Sequence, residues 1–285
     1  MNSSDLQLYS GYKGDLLVEA KYPRVAVNKP NPPPRLIVDV YKKSDGPICI
    51  APIGDAHIGA LSESGGRLDT LEWAMKNSVD NGCYIVLMGD LMETALKNSV
   101  GWAVYEQWMN PHEQFMSVLD LIGRYKDRVI GYLSSNHEMR ILKSVGIDLQ
   151  HIISELHGIP YADSLYFRFK LSDEGVSVKR KVFALHGTGY ASYPHTRINK
   201  PLTLTRFVDA DIILYAHTHS RNYLEYVRIS DGEDVVSYVV NTGALVGSMR
   251  YSALKGFPTS ILGYYHIHMG SRGVRFEEVN LPESV

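Results

Sequence analysis

The chain has 285 residues, 45% of them hydrophobic and 21% charged, a globular balance that excludes a wholly disordered or fibrous protein and supports a large core. A formal charge of −2 leaves no global basic field, so any nucleic-acid contact has to be local. No apolar stretch approaches the length of a bilayer, and the N-terminus MNSSDLQLYSG lacks the basic start and apolar core of a secretory leader. A soluble, cytoplasmic protein with no membrane partner is expected. The two cysteines, Cys49 and Cys83, lie in the apolar runs ICIAPI and CYIVLM and read as buried small hydrophobes in a reducing compartment rather than as a disulfide.

Residues 1–46 read as an N-terminal arm rather than core, because KPNPPPR forces extended backbone and removes amide donors. The LIVDVY that follows could add an edge strand, and the arm is expected to reach a neighbouring subunit of a homo-oligomer. From residue 47 to 285 the chain forms one domain in which short apolar runs alternate with helical patterns, which predicts an α/β layered fold. The expected strands are ICIAPI, YIVLM, VIGYL, VFAL, IILYA and VVSYVVN. Helical spacing links Leu68, Leu71, Met75 and Val79, then Phe115, Val118, Leu119 and Ile122, then Leu149, Ile152, Ile153 and Leu156.

Each of five polar clusters directly follows an apolar strand, the position where ligands gather in open α/β sheets. Asp55 and His57 come first, spaced so that both can face one metal of borderline ligand preference, with Gly54 bringing the backbone close. Gly89-Asp90 supplies a carboxylate able to bridge two cations, although the same pair also suits a turn or helix cap. In Ser134-Ser135-Asn136-His137-Glu138 an amide oxygen can ligate a metal while the adjacent imidazole, oriented by a carboxylate, handles a proton. His186-Gly187 and His217-Thr218-His219 add three imidazoles. Together the clusters use five of the eleven histidines, in fixed order.

That order, D-x-H, GD, NHE, HG and H-x-H, resembles the five-block signature of calcineurin-like metallophosphoesterases over roughly residues 48 to 245. The stretch from SNHEMR to NTGALVGSMRYSALKGFPTSIL looks similar to uncharacterised phage and prophage phosphoesterases. The resemblance implies a two-sheet β-sandwich flanked by helices and two divalent metal ions. Asp55, His57, Asp90 and His219 would hold the first ion, and Asp90, Asn136, His186 and His217 the second. Manganese is favoured over iron or zinc. His137, kept cationic by Glu138, looks like the proton donor to the leaving oxygen, and Asp90 the bridge beneath an activated hydroxide. The sequence departs from the usual pattern in reading Gly89-Asp90-Leu91-Met92-Glu93 for GD-x-x-D and Ser135 for the glycine before Asn-His.

The implied activity is phosphoester hydrolysis, foremost of a diester in a nucleotide or DNA. The alternatives are a phosphomonoesterase or protein phosphatase, and a non-catalytic scaffold. Tyr190, His195, Arg197 and Lys200, between two metal-bearing clusters, could clamp a phosphate or stack a base, or could line a solvated loop and helix face; Arg140 is a further phosphate candidate. His266 and His268 read as surface or core residues, since no carboxylate or cysteine accompanies them.

Overall fold

A computed structural model describes residues 6–23, 33–61, 65–97, 99, 104–189, 194–230, 232–247 and 261–282. Its centre is a run of parallel strands, β4 (Ile48–Ile53), β5 (Tyr84–Leu87), β6 (Val129–Leu133) and the two-residue β7 (Tyr161–Ala162), every residue of which is buried. Continuous apolar runs are what strands covered on both faces require. Antiparallel β13 (Gly263–Gly270) and β14 (Gly273–Asn280) complete a six-stranded sheet in the order β14-β13-β4-β5-β6-β7.

A second, eight-stranded sheet contains β1 (Leu6–Lys13), β2 (Leu16–Pro23), β3 (Leu36–Lys42), β8 (Ser164–Asp173), β9 (Val176–Leu185), β10 (Ile212–Tyr215), β11 (Arg221–Ser230) and β12 (Glu233–Thr242). Its order is β1-β2-β3-β8-β9-β10-β12-β11, with β9, β10 and β12 parallel. The two mixed sheets and their helices are the α/β class expected from the sequence.

Period-two alternation sorts the side chains between layers. Ile48, Ile50, Tyr84 and Val86 face the eight-stranded sheet and meet Phe167, Phe169, Val182, Ile212, Leu214 and Val240. Cys49, Ala51, Ile53, Ile85 and Leu87 point the other way, onto helices α1 (Leu68–Asp80), α2 (Pro111–Tyr125) and α4 (Leu149–His157). Helix α2 starts at Asn110, whose side chain accepts from the backbone N–H of His112 and Glu113 while Glu113 accepts from the Asn110 N–H. This reciprocal cap satisfies donors that the first turn leaves unpaired. The short α3 (Met139–Val145) follows β6, and α5 (Pro194–Leu202) packs on the outer face of the larger sheet through Ile198 and Leu202.

Two expectations are corrected. Cys49 and Cys83 are joined as a disulfide. They stand at neighbouring positions of β4 and the entry to β5, where parallel pairing brings their backbones side by side. Burial and bonding are therefore both satisfied, and the cysteines no longer argue for a reducing compartment. Secondly, the N-terminal segment is part of the core: Leu16, Val18 and Ala20 of β2 and Leu36, Val38 and Val40 of β3 are buried between the sheets, and β3 pairs in parallel with β8. The alternation in LLVEA and LIVDV provides one apolar face per strand, which outweighs the proline run between them. Most of that run lies outside the described residues. No described helix is long and apolar enough to cross a membrane.

The β1–β2 hairpin is fastened to helix ends. Lys13 Nζ donates to the carbonyls of Lys126 (2.8 Å) and His157 (3.3 Å), at the C-termini of α2 and α4, and Tyr9 Oη donates to Gly158 O at 2.6 Å. A cation there complements the negative ends of two helix dipoles. Burial nevertheless lowers the Lys13 pKa from 10.5 to about 8, against the attraction of Asp127. Between those two values the unfolded chain holds a proton that the folded chain has released, so stability contributed by this group rises with pH across the window. Lys13→Met is expected to abolish that rise. Urea midpoints measured from pH about 8 to about 10 should diverge between wild type and variant, and parallel curves would contradict the assignment.

Candidate metal centre

All five clusters converge at the carboxyl ends of β4, β5, β6, β9 and β10. The first two loops are zipped together by backbone bonds: Asp55 N–H donates to Gly89 O, those of Ala56 and His57 to Asp90 O, and that of Ile58 to Leu91 O, at 2.8 to 3.0 Å. Such contact demands small residues. A Cβ on Gly54 would stand 2.7 Å from Met88 Cβ, and one on Gly89, which has φ +89°, would stand 2.5 Å from Ser135 Cβ.

Asp55, His57, Asp90, His217 and His219 all have positive φ, between 46° and 62°. Among the described non-glycine residues only Thr94 and Glu174 share this region. Each such residue costs on the order of 1 kcal/mol or more, so the surroundings must over-determine it. They do. His217 N–H donates to Asp55 Oδ2 (2.9 Å) and Leu245 N–H to Asp55 O (3.1 Å), while Asp90 N–H donates to Ser135 Oγ (2.8 Å) and His137 N–H to Asp90 Oδ1 (3.1 Å).

Three groups of side chains each bring their potential ligand atoms within 4.8 Å of one another: Asp55, His57 and His219; Asp90, His186 and His217; and His57, Asp90 and His137. Asp55, His57, Asp90 and His186 are at most 2% exposed. Asn136 joins the second group, its Oδ1 lying 3.0 Å from His186 Nε2, while that nitrogen is 3.2 Å from Asp90 Oδ2. All seven residues read as cage ligands are thus brought together.

The donor set fits divalent cations on several observations. Asp55 Oδ1 and His217 Nδ1 are buried without hydrogen-bond partners, and His57 Nε2 faces His219 Nε2 at 3.2 Å. Buried polar atoms left in this way are costly unless something else binds them. The rings are also oriented from behind. His186 Nδ1 meets Met88 O at 2.8 Å, and His57 Nδ1 meets Glu93 Oε2 at 2.9 Å, which directs each Nε2 towards the cluster.

Burial, reinforced by His186, lowers His217 to about 4; burial with His57 holds His219 well down, and burial with His137 lowers His57. These three imidazoles are therefore neutral, as ligation requires, whereas for His186 burial is outweighed by the Asp90 charge, which raises it to about 9 and gives it a proton that a bound cation would displace. Burial also pushes Asp55 up to about 7, with the Asp90 charge adding to the rise and His186 opposing it. For Asp90 the same burial is outweighed by His186 and His137, which hold its carboxyl well below the usual range.

Glu138 does not perform the role expected of it. Its Oε1 accepts from the backbone N–H of Leu91 and Met92, and its Oε2 from Ser135 Oγ, so it braces the β5 loop. The carboxylate beside His137 is that of Glu93. Glu93 Oε2 lies 3.2 Å from His137 Nδ1, and Oε1 lies 3.2 Å from Arg140 Nη1. Burial opposes its ionisation, but the charge of His137 and the hydrogen bonds from His137 and His57 keep it ionised below the ordinary range. The sequence carries a signal for this residue, since Glu93 stands three residues after Asp90, where the resembling motif has its second acid.

The expected substrate residues separate. Arg140 is in the site, with Nη2 at 3.0 Å from His137 Nε2. Lys200 Nζ donates to Thr188 O at 3.0 Å, beside the His186 loop, and Arg197 is buried against Ser220. Tyr190 and the side chain of His195 lie outside the described residues. His266 and His268 belong to none of the three groups: His266 lies against Ser78 Oγ, while His268 meets the carboxylate of Glu277 across β13 and β14, a partner not expected from the sequence.

No family model matches the chain, and no curated protein does. Solved structures do. A conserved uncharacterized protein of Streptococcus pneumoniae, described as a predicted phosphoesterase, is 12% identical, with 83% of this chain and 91% of that one covered at a TM-score of 0.40. A double mutant of Vps29 from Entamoeba histolytica is 12% identical, covering 82% of this chain and 100% of the other at 0.36. A Thermotoga maritima protein solved by NMR is 15% identical, covering 82% and 99% at 0.32. None of the three is described as a phage protein. The chemistry of the site rests on its own side chains.

Because Glu93 supports His57 and His137 together, Glu93→Gln is expected to weaken Mn²⁺ binding by about 10–100-fold and to lower turnover as well. Calorimetric titration of the metal-free protein checks this, with circular dichroism to confirm the fold. Wild-type affinity in the variant would show that the carboxylate does not support the cage.

Proposed function

We propose that the protein is a dinuclear metal-dependent phosphoester hydrolase, acting foremost on a phosphodiester in a nucleotide or nucleic acid. The observation that carries this reading is the buried Asp90, grouped with His186 and His217 on one side and with His57 and His137 on the other, while Asp55 Oδ1 and His217 Nδ1 are buried without hydrogen-bond partners. Asp55, His57, Asp90 and His219 would hold one cation and Asp90, Asn136, His186 and His217 the other, with manganese favoured. When bound, such ions polarise phosphoryl oxygens and lower the pKa of water.

The chain's own part in the reaction centres on His137. Its Nδ1 meets Glu93 O at 3.1 Å and Glu93 Oε2 at 3.2 Å, which leaves Nε2 facing the cluster, 3.8 Å from Asp90 Oδ2. Burial lowers the His137 pKa, but Asp90 and Glu93 outweigh it and raise the value, while Arg140 opposes them. Arg140 Nη2, which can only donate, lies 3.0 Å from Nε2, so that nitrogen takes up the proton it passes to a leaving oxygen once the guanidinium turns onto the substrate phosphate. Arg140 supplies positive charge at the same edge, suited to a non-bridging phosphate oxygen. General-acid help of this kind is worth about 10²–10⁴-fold.

The diester preference follows from the sequence resemblance. A panel with Mn²⁺ tests it, using a bis-aryl phosphate, an aryl monophosphate, cyclic nucleotides and single- and double-stranded DNA. Diester cleavage is expected. Cleavage of the monophosphate alone would replace this reading with a phosphomonoesterase, and inertness towards every substrate would favour a scaffold. His137→Ala should retain both metal equivalents while kcat falls by about 10²–10⁴-fold, whereas Asp90→Ala should lose metal too. Equal metal loss in the two variants would sink this division of roles.

A further inference from the structure

Arg197 belongs to α5, which is anchored on the outer sheet by Ile198 and Leu202 packing near Phe183, Ile213 and Val239. Its side chain is not displayed to solvent: the residue is only 7% exposed, unusual for arginine. Arg197 Nη1 donates to Ser220 Oγ at 2.8 Å. Ser220 Oγ in turn donates to Thr218 O at 3.3 Å, and Ser220 O accepts from Gly243 N–H at 2.9 Å. Thr218 and Ser220 flank His219, whose φ of 51° follows that of His217 at 62°.

Two left-handed residues separated by one position form a conformation that the chain does not hold unaided. On the β4 side Asp55 Oδ2 restrains it through His217 N–H. On the opposite side the restraint comes from α5, through the guanidinium and the Ser220 hydroxyl. Lys200 lies one turn further along the same helix but is exposed, and among the described residues it donates to the carbonyl of Thr188.

We propose that Arg197 is a positioning residue of the metal centre, fixing the 217–220 loop through Ser220 and thereby the aim of His219. This rests on reading the cluster as a metal site. It moves Arg197 out of the substrate-binding group and leaves Lys200 in it. The buried charge also explains why lysine would be a partial substitute: an ammonium can donate to Ser220 but lacks the planar fork that places a bond at a set angle.

The test is calorimetric titration of metal-free protein with Mn²⁺, comparing wild type with Arg197→Met, Arg197→Lys, Ser220→Ala and Lys200→Met. Arg197→Met and Ser220→Ala should each weaken Mn²⁺ binding about 10-fold or more, and the double variant should be no weaker than Arg197→Met alone. Arg197→Lys should recover part of the loss, and Lys200→Met should bind Mn²⁺ like wild type. Should Arg197→Met fail to fold, Ser220→Ala decides the matter, because it removes one oxygen and leaves the helix intact. Wild-type Mn²⁺ affinity in Ser220→Ala, or in Arg197→Met with a raised KM, overturns the proposal. Failure of the wild-type protein itself to bind Mn²⁺ would instead remove the metal reading on which it rests.

Discussion

Burial of the Asp90 carboxylate is the constraint around which the site is arranged. A charge taken so far from water is tolerated only when its neighbours supply compensating charge and hydrogen bonds. Here they come from several elements: a backbone N–H at His137, an imidazole at His186 after β9, and the hydroxyl of Ser135 holding the Asp90 backbone. None is near Asp90 in sequence. The two sheets have to be assembled before the charge is balanced, so the fold and the polar cluster depend on one another.

The parallel strands make this possible. Because β4, β5 and β6 run the same way, as do β9 and β10, their carboxyl ends gather at one rim and deliver side chains from five loops into a small volume. Antiparallel neighbours would have sent alternate loops to opposite rims. The antiparallel strands β1, β2, β13 and β14 instead widen the sheets without carrying any of the cage residues.

Much of this is legible in the sequence because buried parallel strands are written as uninterrupted apolar runs. ICIAPI coincides with β4 and VIGYL with β6, and the polar residues that end each run are the ones that converge. Alternating strands are harder to read. In β8, Leu165, Phe167, Phe169 and Leu171 point inward while Arg168 and Lys170 face out, so a strand that is half core shows no continuous apolar run. The same holds for β2 and β3, where neighbouring prolines mask the pattern. Glu93 and Glu138 show a different limit. Adjacency in sequence suggests that Glu138 serves His137, but Glu138 is taken up by the backbone of the β5 loop and by Ser135, and only the packing of that loop reveals that Glu93 is the acid beside His137.

The Cys49–Cys83 bridge also bears on how the chain reaches this state. It closes β4, α1 and the entry to β5 into a covalent ring spanning a sequence separation of 34. Parallel pairing is slow to form because distant segments must meet before any contact rewards them. Once oxidised, the chain begins each refolding attempt with β4 and the entry to β5 held side by side, so the segments that lead into Asp55 and Asp90 start as neighbours, and the most distant search left in that sheet is the pairing of β4 with β13.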